Sequence, residues 1–300
     1  MEDWMKKKIG FIGLGIMGRP MAKNLIDAGF PLSVYDLIPA SIQELVDSGA
    51  SEAKSLKDIA ENSDVIITML PNSPQVYDVL VGTDGVLDVL KKGTFWIDMT
   101  TGAPKAAREI NKLLSERGVT FFDAPVSGGQ VGAINGTLSI MVGGEKEKLD
   151  DIMNILKAMG TNINYLGAIG SGQAAKMCNQ IICAMNIHAI CEAFALGEAE
   201  GLDLKVLRGV IGGGAANSWM LENLGEKIIA KDNSAGFKID LQVKDLKIAI
   251  DSAFEKKVPV PGTMLSTSMY MEAQAHGEGN NGNQSLFSVY DRLASMESRS

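Results

Sequence analysis

Three hundred residues, 46% apolar and 21% charged, describe a folded chain with material for one large domain or two ordinary ones, and exclude a disordered segment. A net charge of −8, with no run of Lys and Arg longer than three residues, argues against a nucleic-acid-binding surface, though not against an anionic ligand held by local backbone dipoles. Cys178, Cys183 and Cys191 share one predicted helix at spacings that point them apart, so they read as small core residues rather than a disulfide or metal site, and they fit a reducing, cytoplasmic compartment.

Near the start, Lys6-Lys7-Lys8 precedes an apolar stretch and so imitates a secretion signal. That stretch is interrupted by glycines and ends at Arg19 without a small-residue cleavage site, which makes it a buried strand. No other apolar stretch looks long enough to span a bilayer. From Ile9 to Leu25 the order is strand, glycine-rich turn, helix, with Gly13, Gly15 and Gly18 spaced G-x-G-x-x-G. Such spacing suits a dinucleotide. The first glycine permits the tight turn, the second admits a pyrophosphate onto the helix N-terminus, and the third lets the helix pack on the sheet. Leu14, Ile16 and Met17 complete the turn.

Asp36 closes the next apolar run, 23 positions beyond Gly13, where a carboxylate can accept from a ribose 2′-hydroxyl. A plain turn aspartate is the alternative, and the three glycines favour the ribose. Leu37, Ile38 and Pro39 offer no cation for a 2′-phosphate, so NAD is expected as cofactor, with NADP as the other option.

Strands are expected at 8–13, 32–36, 64–69, 94–98, 120–124 and 137–142, with helices at 17–29, 39–48, 74–81, 103–117 and 145–158. This alternation predicts an α/β Rossmann domain, a mostly parallel doubly wound sheet, over 1–167. Ligands bind such sheets at the strand carboxyl ends, which here hold Leu70-Pro71, Thr100-Thr101 and Ser127-Gly128-Gly129. Residues 167–172 form a glycine-rich joint. Beyond it the pattern is all-helical over 168–300: a long helix at 173–200, apolar on nearly every face, then helices at 203–211, 218–230, 240–256, 261–275 and 284–297. Burial of so apolar a helix suggests a homodimer or homotetramer. The stretch 277–283 reads as a mobile loop.

Only His188 and His276 are available as imidazole acids or bases. His188 sits mid-helix as a packed residue and His276 beside the glycine-rich loop, so another group is expected to move any proton. Lys176, Asn179, Gln180 and Cys183 lie on one face of the long helix. Two readings of Lys176 stand: a chain reaching solvent, or an ammonium whose pKa is lowered by burial and the helix end so that it can donate a proton as hydride arrives. Ser127-Gly128-Gly129 is either a flexible turn or a set of donors for a carboxylate.

The segments FIGLGIMGRPMAKNL at 11–25, ITMLPNS at 67–73, FDAPVSGG at 122–129, GTLSIMVGG at 136–144, GSGQAAKMCNQ at 170–180 and GFKIDLQVKDL at 236–246 together resemble the β-hydroxyacid dehydrogenase family over nearly the whole chain. The resemblance implies metal-free, nicotinamide-dependent oxidation of the 3-hydroxyl of a small carboxylic acid. It implies that Lys176 is the catalytic lysine and that Ser127, Gly128 and Gly129 hold the substrate carboxylate. Thr101 would lie near substrate and nicotinamide, Lys244 would reach the cofactor, Leu70 and Pro71 would line the nucleotide, and Asn179 or Gln180 would orient the reacting groups. Many members carry asparagine where this chain has Gln180. The Asn179-Gln180 pair, PNSP at 71–74 and FKIDLQVKDL at 237–246 resemble the tartronate semialdehyde reductase branch, whereas Leu37 stands where that branch often has arginine. Branches acting on 3-hydroxyisobutyrate or 2-(hydroxymethyl)glutarate are the alternatives, and a nucleotide-sensing binding module is the non-enzymatic one.

Overall fold

Strands covered by helices on both faces must be apolar throughout, and Ile9–Ile12, Val65–Thr68 and Phe95–Asp98 are buried at every position. In the computed structural model, which describes residues 7–294, they form the centre of one sheet. Lys6 and positions 295–297 of the last expected helix lie outside the described residues. The chain divides into two compact units, Met1–Lys176 and Met177–Ser300.

In chain order the first unit runs β1 (Ile9–Ile12), α1 (Gly18–Asp27), β2 (Leu32–Tyr35), α2 (Pro39–Val46), β3 (Ser51–Glu52), α3 (Leu56–Asn62), β4 (Val65–Thr68), α4 (Ser73–Val81), β5 (Phe95–Asp98), α5 (Pro104–Glu116) and β6 (Thr120–Asp123). It continues with β7 (Val126–Ser127), α6 (Gly129–Asn135), β8 (Leu138–Gly144), α7 (Met153–Met159), β9 (Gly160–Gly167) and the start of α8 (Ser171–Ala199). The sheet order is β3-β2-β1-β4-β5-β6-β8-β7, with β9 beside β8. The first six strands are parallel, β8 is antiparallel to both β6 and β7, and β9 is parallel to β8. Order reverses between β1 and β4, the switch point where open α/β sheets leave a crevice for ligands.

Two apolar clusters coat the sheet. One gathers Phe11, Met21, Leu25, Val34 and Ile67, the other Trp96, Phe121, Ile110 and Leu114. The α/β Rossmann architecture and the helical second half are as the sequence predicts. Five elements were not expected: the short β3, α3, β7 and α6, and the eight-residue β9. The expected helix at 145–158 is instead a 3₁₀ segment, Lys146–Asp151, followed by α7. Ile152 separates them at φ −121°, ψ −2°, outside helical geometry.

The second unit takes the rest of α8, then α9 (Leu204–Gly212), α10 (Trp219–Ile229), α11 (Ile239–Lys256), α12 (Pro261–Ala275) and α13 (Phe287–Leu293). Asp203 and Ser218 cap α9 and α10 by accepting from their first-turn amides. Along α8, Ala184, Ile187, Cys191 and Phe194 recur at helical spacing and enter a core with Tyr270, Leu246, Leu286 and Phe287.

Four expectations need correction. By length and composition α8 does qualify to cross a bilayer, because polar residues interrupt the run without lowering its mean hydropathy enough. Its core stripe is that of a packed globular helix, yet Ile182, Met185 and Leu196 on its other faces stay exposed, so the helix is not buried all round. Of the cysteines only Cys191 is buried; Cys178 is exposed and Cys183 intermediate. Finally, the 277–283 stretch is bound rather than loose. Gly279 and Asn281 carbonyls accept from Asp240 and Ile239, the first amides of α11, and Asn283 is buried with its amide donating to Gln242.

Candidate active site

The turn after β1 is shaped by what each glycine must avoid. A Cβ on Gly13, at φ +98°, would lie 2.4 Å from the Met69 carbonyl oxygen, and one on Gly18 would lie 1.9 Å from that of Gly13. Around Gly15 a Cβ would meet nothing within 4 Å, so the middle of the turn faces open space. Beyond it α1 starts at Gly18 with no side-chain cap on its first amides. An open backbone surface leading into an uncapped helix N-terminus fits a dinucleotide pyrophosphate, which would itself act as the cap.

Asp36 leaves the end of β2 and turns back on this loop. Its Oδ2 accepts from the Leu14 amide at 2.6 Å and its Oδ1 from the Ile38 amide at 2.8 Å. Leu14 is therefore buried with its N–H committed, which leaves Gly15, Ile16 and Met17 as the part of the turn presented outward. Leu37 is 86% exposed and contributes no charge beside Asp36.

At the ends of β4 and β5, Leu70 donates its amide to Thr100 Oγ1 at 3.0 Å, and Pro71 is exposed beside it. Thr101 follows in the β5–α5 loop, half-buried. Ser127, Gly128 and Gly129 leave β7 and open α6, with both glycines at positive φ, +130° and +61°. That backbone is unfavourable for other residues, so the turn depends on glycine at both positions.

Two buried aspartates that the sequence reading passed over organise this edge. Asp98 and Asp123 end β5 and β6 as register partners. Thr68 donates its hydroxyl to Asp98 Oδ1 at 2.9 Å, the Thr100 amide donates to the same oxygen at 3.1 Å, and Trp96 Nε1 donates to Thr68. Asp123 accepts from the amides of Gly170 at 2.7 Å and Gln173 at 2.9 Å, at the start of α8. Burial raises both carboxyls to about 6 against these hydrogen bonds, which pull the other way. An acid closing two adjacent apolar strands at one register was the available signal.

Lys176 comes one turn beyond Gln173 on α8 and is 7% exposed, too little for a side chain lying along a solvated face. Asn179, Gln180 and Lys244 belong to the second unit and form a group of their own. Gln180 Nε2 donates to Asp245 Oδ2 at 2.6 Å, Asn179 Nδ2 donates to Gln180 Oε1 at 2.9 Å, and Lys244 Nζ lies 3.0 Å from Asp245 Oδ1. Asp245, 1% exposed, was also missed; it directly follows Lys244 in the chain. His188 is a packed residue as expected, with Nδ1 3.1 Å from Ser266 Oγ, its ring edge-on to Tyr290 and its pKa lowered by burial.

The NAD binding domain of 6-phosphogluconate dehydrogenase matches residues 8–167, and the NAD-binding domain of NADP-dependent 3-hydroxyisobutyrate dehydrogenase matches residues 170–290. An NAD-dependent L-serine dehydrogenase of Pseudomonas aeruginosa is 41% identical over 271 residues, covering 88% of this chain and 91% of that protein. A 2-hydroxy-3-oxopropionate reductase of Escherichia coli is 38% identical over 287 residues, covering 96% and 98%. Among solved structures, a 3-hydroxyisobutyrate dehydrogenase from Salmonella typhimurium superposes with a TM-score of 0.88 at 29% identity, covering 95% of this chain and all of that one.

The glycine geometry separates two substitutions. Gly15→Ala should fold with an unchanged Tm yet raise the NADH Kd about tenfold or more, a loss of ~1.4 kcal/mol or above. Gly18→Ala should instead lower stability by roughly 1–3 kcal/mol through overpacking. Thermal melts and fluorescence titration read the two effects apart. The raised carboxyls also fix a pH trend. Between about 4 and about 6 the folded chain holds protons on Asp98 and Asp123 that the unfolded chain has released, so their contribution to stability falls as pH rises and levels off above about 6. Asp98→Asn should flatten the slope of stability against pH in that window, measured by urea unfolding.

Proposed function

The chain belongs to the β-hydroxyacid dehydrogenase family, and on that premise we propose that it interconverts tartronate semialdehyde (2-hydroxy-3-oxopropionate) and its 3-hydroxy acid with NADH and NAD. One observation carries the reading: Lys176 is buried one turn into a helix whose first amides are held by Asp123, beyond a turn shaped for a dinucleotide. The substrate assignment is supported by Asn179-Gln180, by Pro71-Asn72-Ser73-Pro74 and by the segment 236–246, the features shared with the tartronate semialdehyde reductase branch.

In this reading the bound nicotinamide supplies the hydride for reduction and receives it in oxidation. The Ser127 hydroxyl and the amides of Gly128 and Gly129 hold the substrate carboxylate, which fixes the carbonyl at the other end of a short molecule. Thr101 flanks that carbonyl. As negative charge builds on its oxygen, Lys176 donates a proton there; in oxidation the neutral amine takes the proton back. Asn179 and Gln180, the latter fixed by Asp245, are assigned by the family resemblance to orienting the reacting oxygen, and Lys244, paired with the same carboxylate, is assigned to the cofactor. Gly15, Ile16 and Met17 receive the pyrophosphate, Leu70 and Pro71 line the nucleotide, and Asp36 accepts from the adenosine ribose. A 2′-phosphate would meet the Asp36 carboxylate with no cation from Leu37, which is why NADH is assigned over NADPH. We further propose a cytoplasmic homodimer or homotetramer, in which a second copy covers exposed apolar side chains such as Ile182, Leu196, Phe254 and Leu265.

Steady-state assays of NADH oxidation should give the highest kcat/KM with tartronate semialdehyde among that compound, methylmalonate semialdehyde, succinic semialdehyde and 2-formylglutarate. A different best substrate overturns the assignment within the family. Lys176→Ala should lower kcat by ~10²–10⁴-fold while leaving the NADH Kd nearly unchanged; near-normal turnover would remove the lysine from the mechanism. Leu37→Arg should shift the NADPH to NADH ratio of kcat/KM upward by about tenfold, as one added charge-assisted contact of ~1.5 kcal/mol implies.

A further inference from the structure

Gln173 has no part in the chemistry described so far, yet three strand ends converge on it. Its side chain is 1% exposed and makes two bonds to the β5–α5 loop. Nε2 donates to the Thr100 carbonyl oxygen at 2.7 Å, and Oε1 accepts from the Gly102 amide at 2.8 Å. One amide thus straddles Thr101, holding the carbonyl before it and the N–H after it. The backbone N–H of the same residue donates to Asp123, at the end of β6. Thr100 in turn receives the Leu70 amide from the end of β4 on its hydroxyl.

The rest of the loop is fixed as tightly. The Thr100 amide donates to Asp98 and the Ala103 amide to Ser73 Oγ at 3.2 Å. A Cβ at Gly102 would lie 2.0 Å from that Ser73 oxygen, so the close approach of loop and Ser73 requires glycine there. On α8, Lys176 lies three positions beyond Gln173 and therefore on the same face of the helix.

We propose that Gln173 is a positioning residue that sets the placement of Thr101 relative to Lys176, by clamping the loop carrying the first to the helix carrying the second. The proposal rests on the reading of Lys176 as proton donor and Thr101 as a flank of the substrate carbonyl. Its physical basis is that a buried primary amide satisfied at both ends admits one geometry, since each lost bond would strand a desolvated polar group. A helix cap alone would fix only α8. The clamp fixes α8 and the β5–α5 loop to each other, and misplacement by about 1 Å at a reacting centre can cost ~10²-fold in rate.

Gln173→Met keeps the volume of the side chain and removes both bonds. It should lower kcat by ~10²-fold, leave KM and the NADH Kd within about threefold, and speed amide hydrogen exchange in a peptide spanning 99–104. Gln173→Asn keeps the amide but not its reach, and should show the same pattern if the Met variant folds poorly. A mere filler role predicts normal kcat in the Met variant. Turnover within about twofold of wild type, or unchanged exchange at 99–104 in both variants, overturns the proposal. The exchange measurement needs no substrate, so it tests the clamp even if the wild type reduces none of the semialdehydes. That result would instead overturn the functional reading.

Discussion

A single buried carboxylate anchors the start of the helix on which the proposed chemistry depends. Asp123 ends β6 within the sheet and accepts the amides of Gly170, just before α8, and of Gln173 in its first turn. Burying an ionised group is costly unless it is richly hydrogen-bonded, and a helix N-terminus is rich in unsatisfied donors with a favourable dipole. Each solves the other's problem. The raised pKa shows that desolvation still outweighs the hydrogen bonds. The helix that begins there is long, continuous and carries Lys176 in its second turn, so the rotational setting of that lysine follows from where the carboxylate lies.

The neighbouring loops are organised on the same logic. Thr68, Thr100 and Gln173 are polar side chains in a region that is otherwise apolar, and their hydrogen bonds connect Asp98 with the loop around Thr101. Buried polar networks of this kind are stable only when nearly complete, and once complete they specify a single arrangement. In the second unit a parallel arrangement recurs around Asp245, which holds Gln180 through one oxygen and pairs Lys244 with the other. In both places a buried carboxylate fixes its neighbours, and around Asp245 those neighbours are side chains proposed to meet substrate or cofactor.

Much of the fold was legible because parallel strands are apolar at every position and glycine turns carry fixed spacings. The runs at 9–12, 65–68 and 95–98 could hardly be anything else. The unexpected elements lack those signals. β3 is two exposed residues, β9 is exposed or half-exposed along nearly all its length, and β7 and α6 are short pieces folded around the turn at Ser127. The 277–283 segment looked loose from its glycines, but its order comes from carbonyls that complete the first turn of α11, which composition does not reveal. Gln173, Asp98 and Asp123 stayed hidden for a related reason. A polar residue in a helix and an acid at a strand end look ordinary until the partners that bury them are known.

Asp36 carries a consequence for how such a chain could change its cofactor. The carboxylate assigned to the ribose also staples the Leu14 amide, so the group that would discriminate between two nucleotides is a structural member of the loop that cradles either. Removing it to admit an extra phosphate would loosen the very cradle meant to receive that phosphate. A change of selectivity is therefore easier to reach through the exposed neighbour Leu37, which carries no such structural duty, than through the aspartate itself.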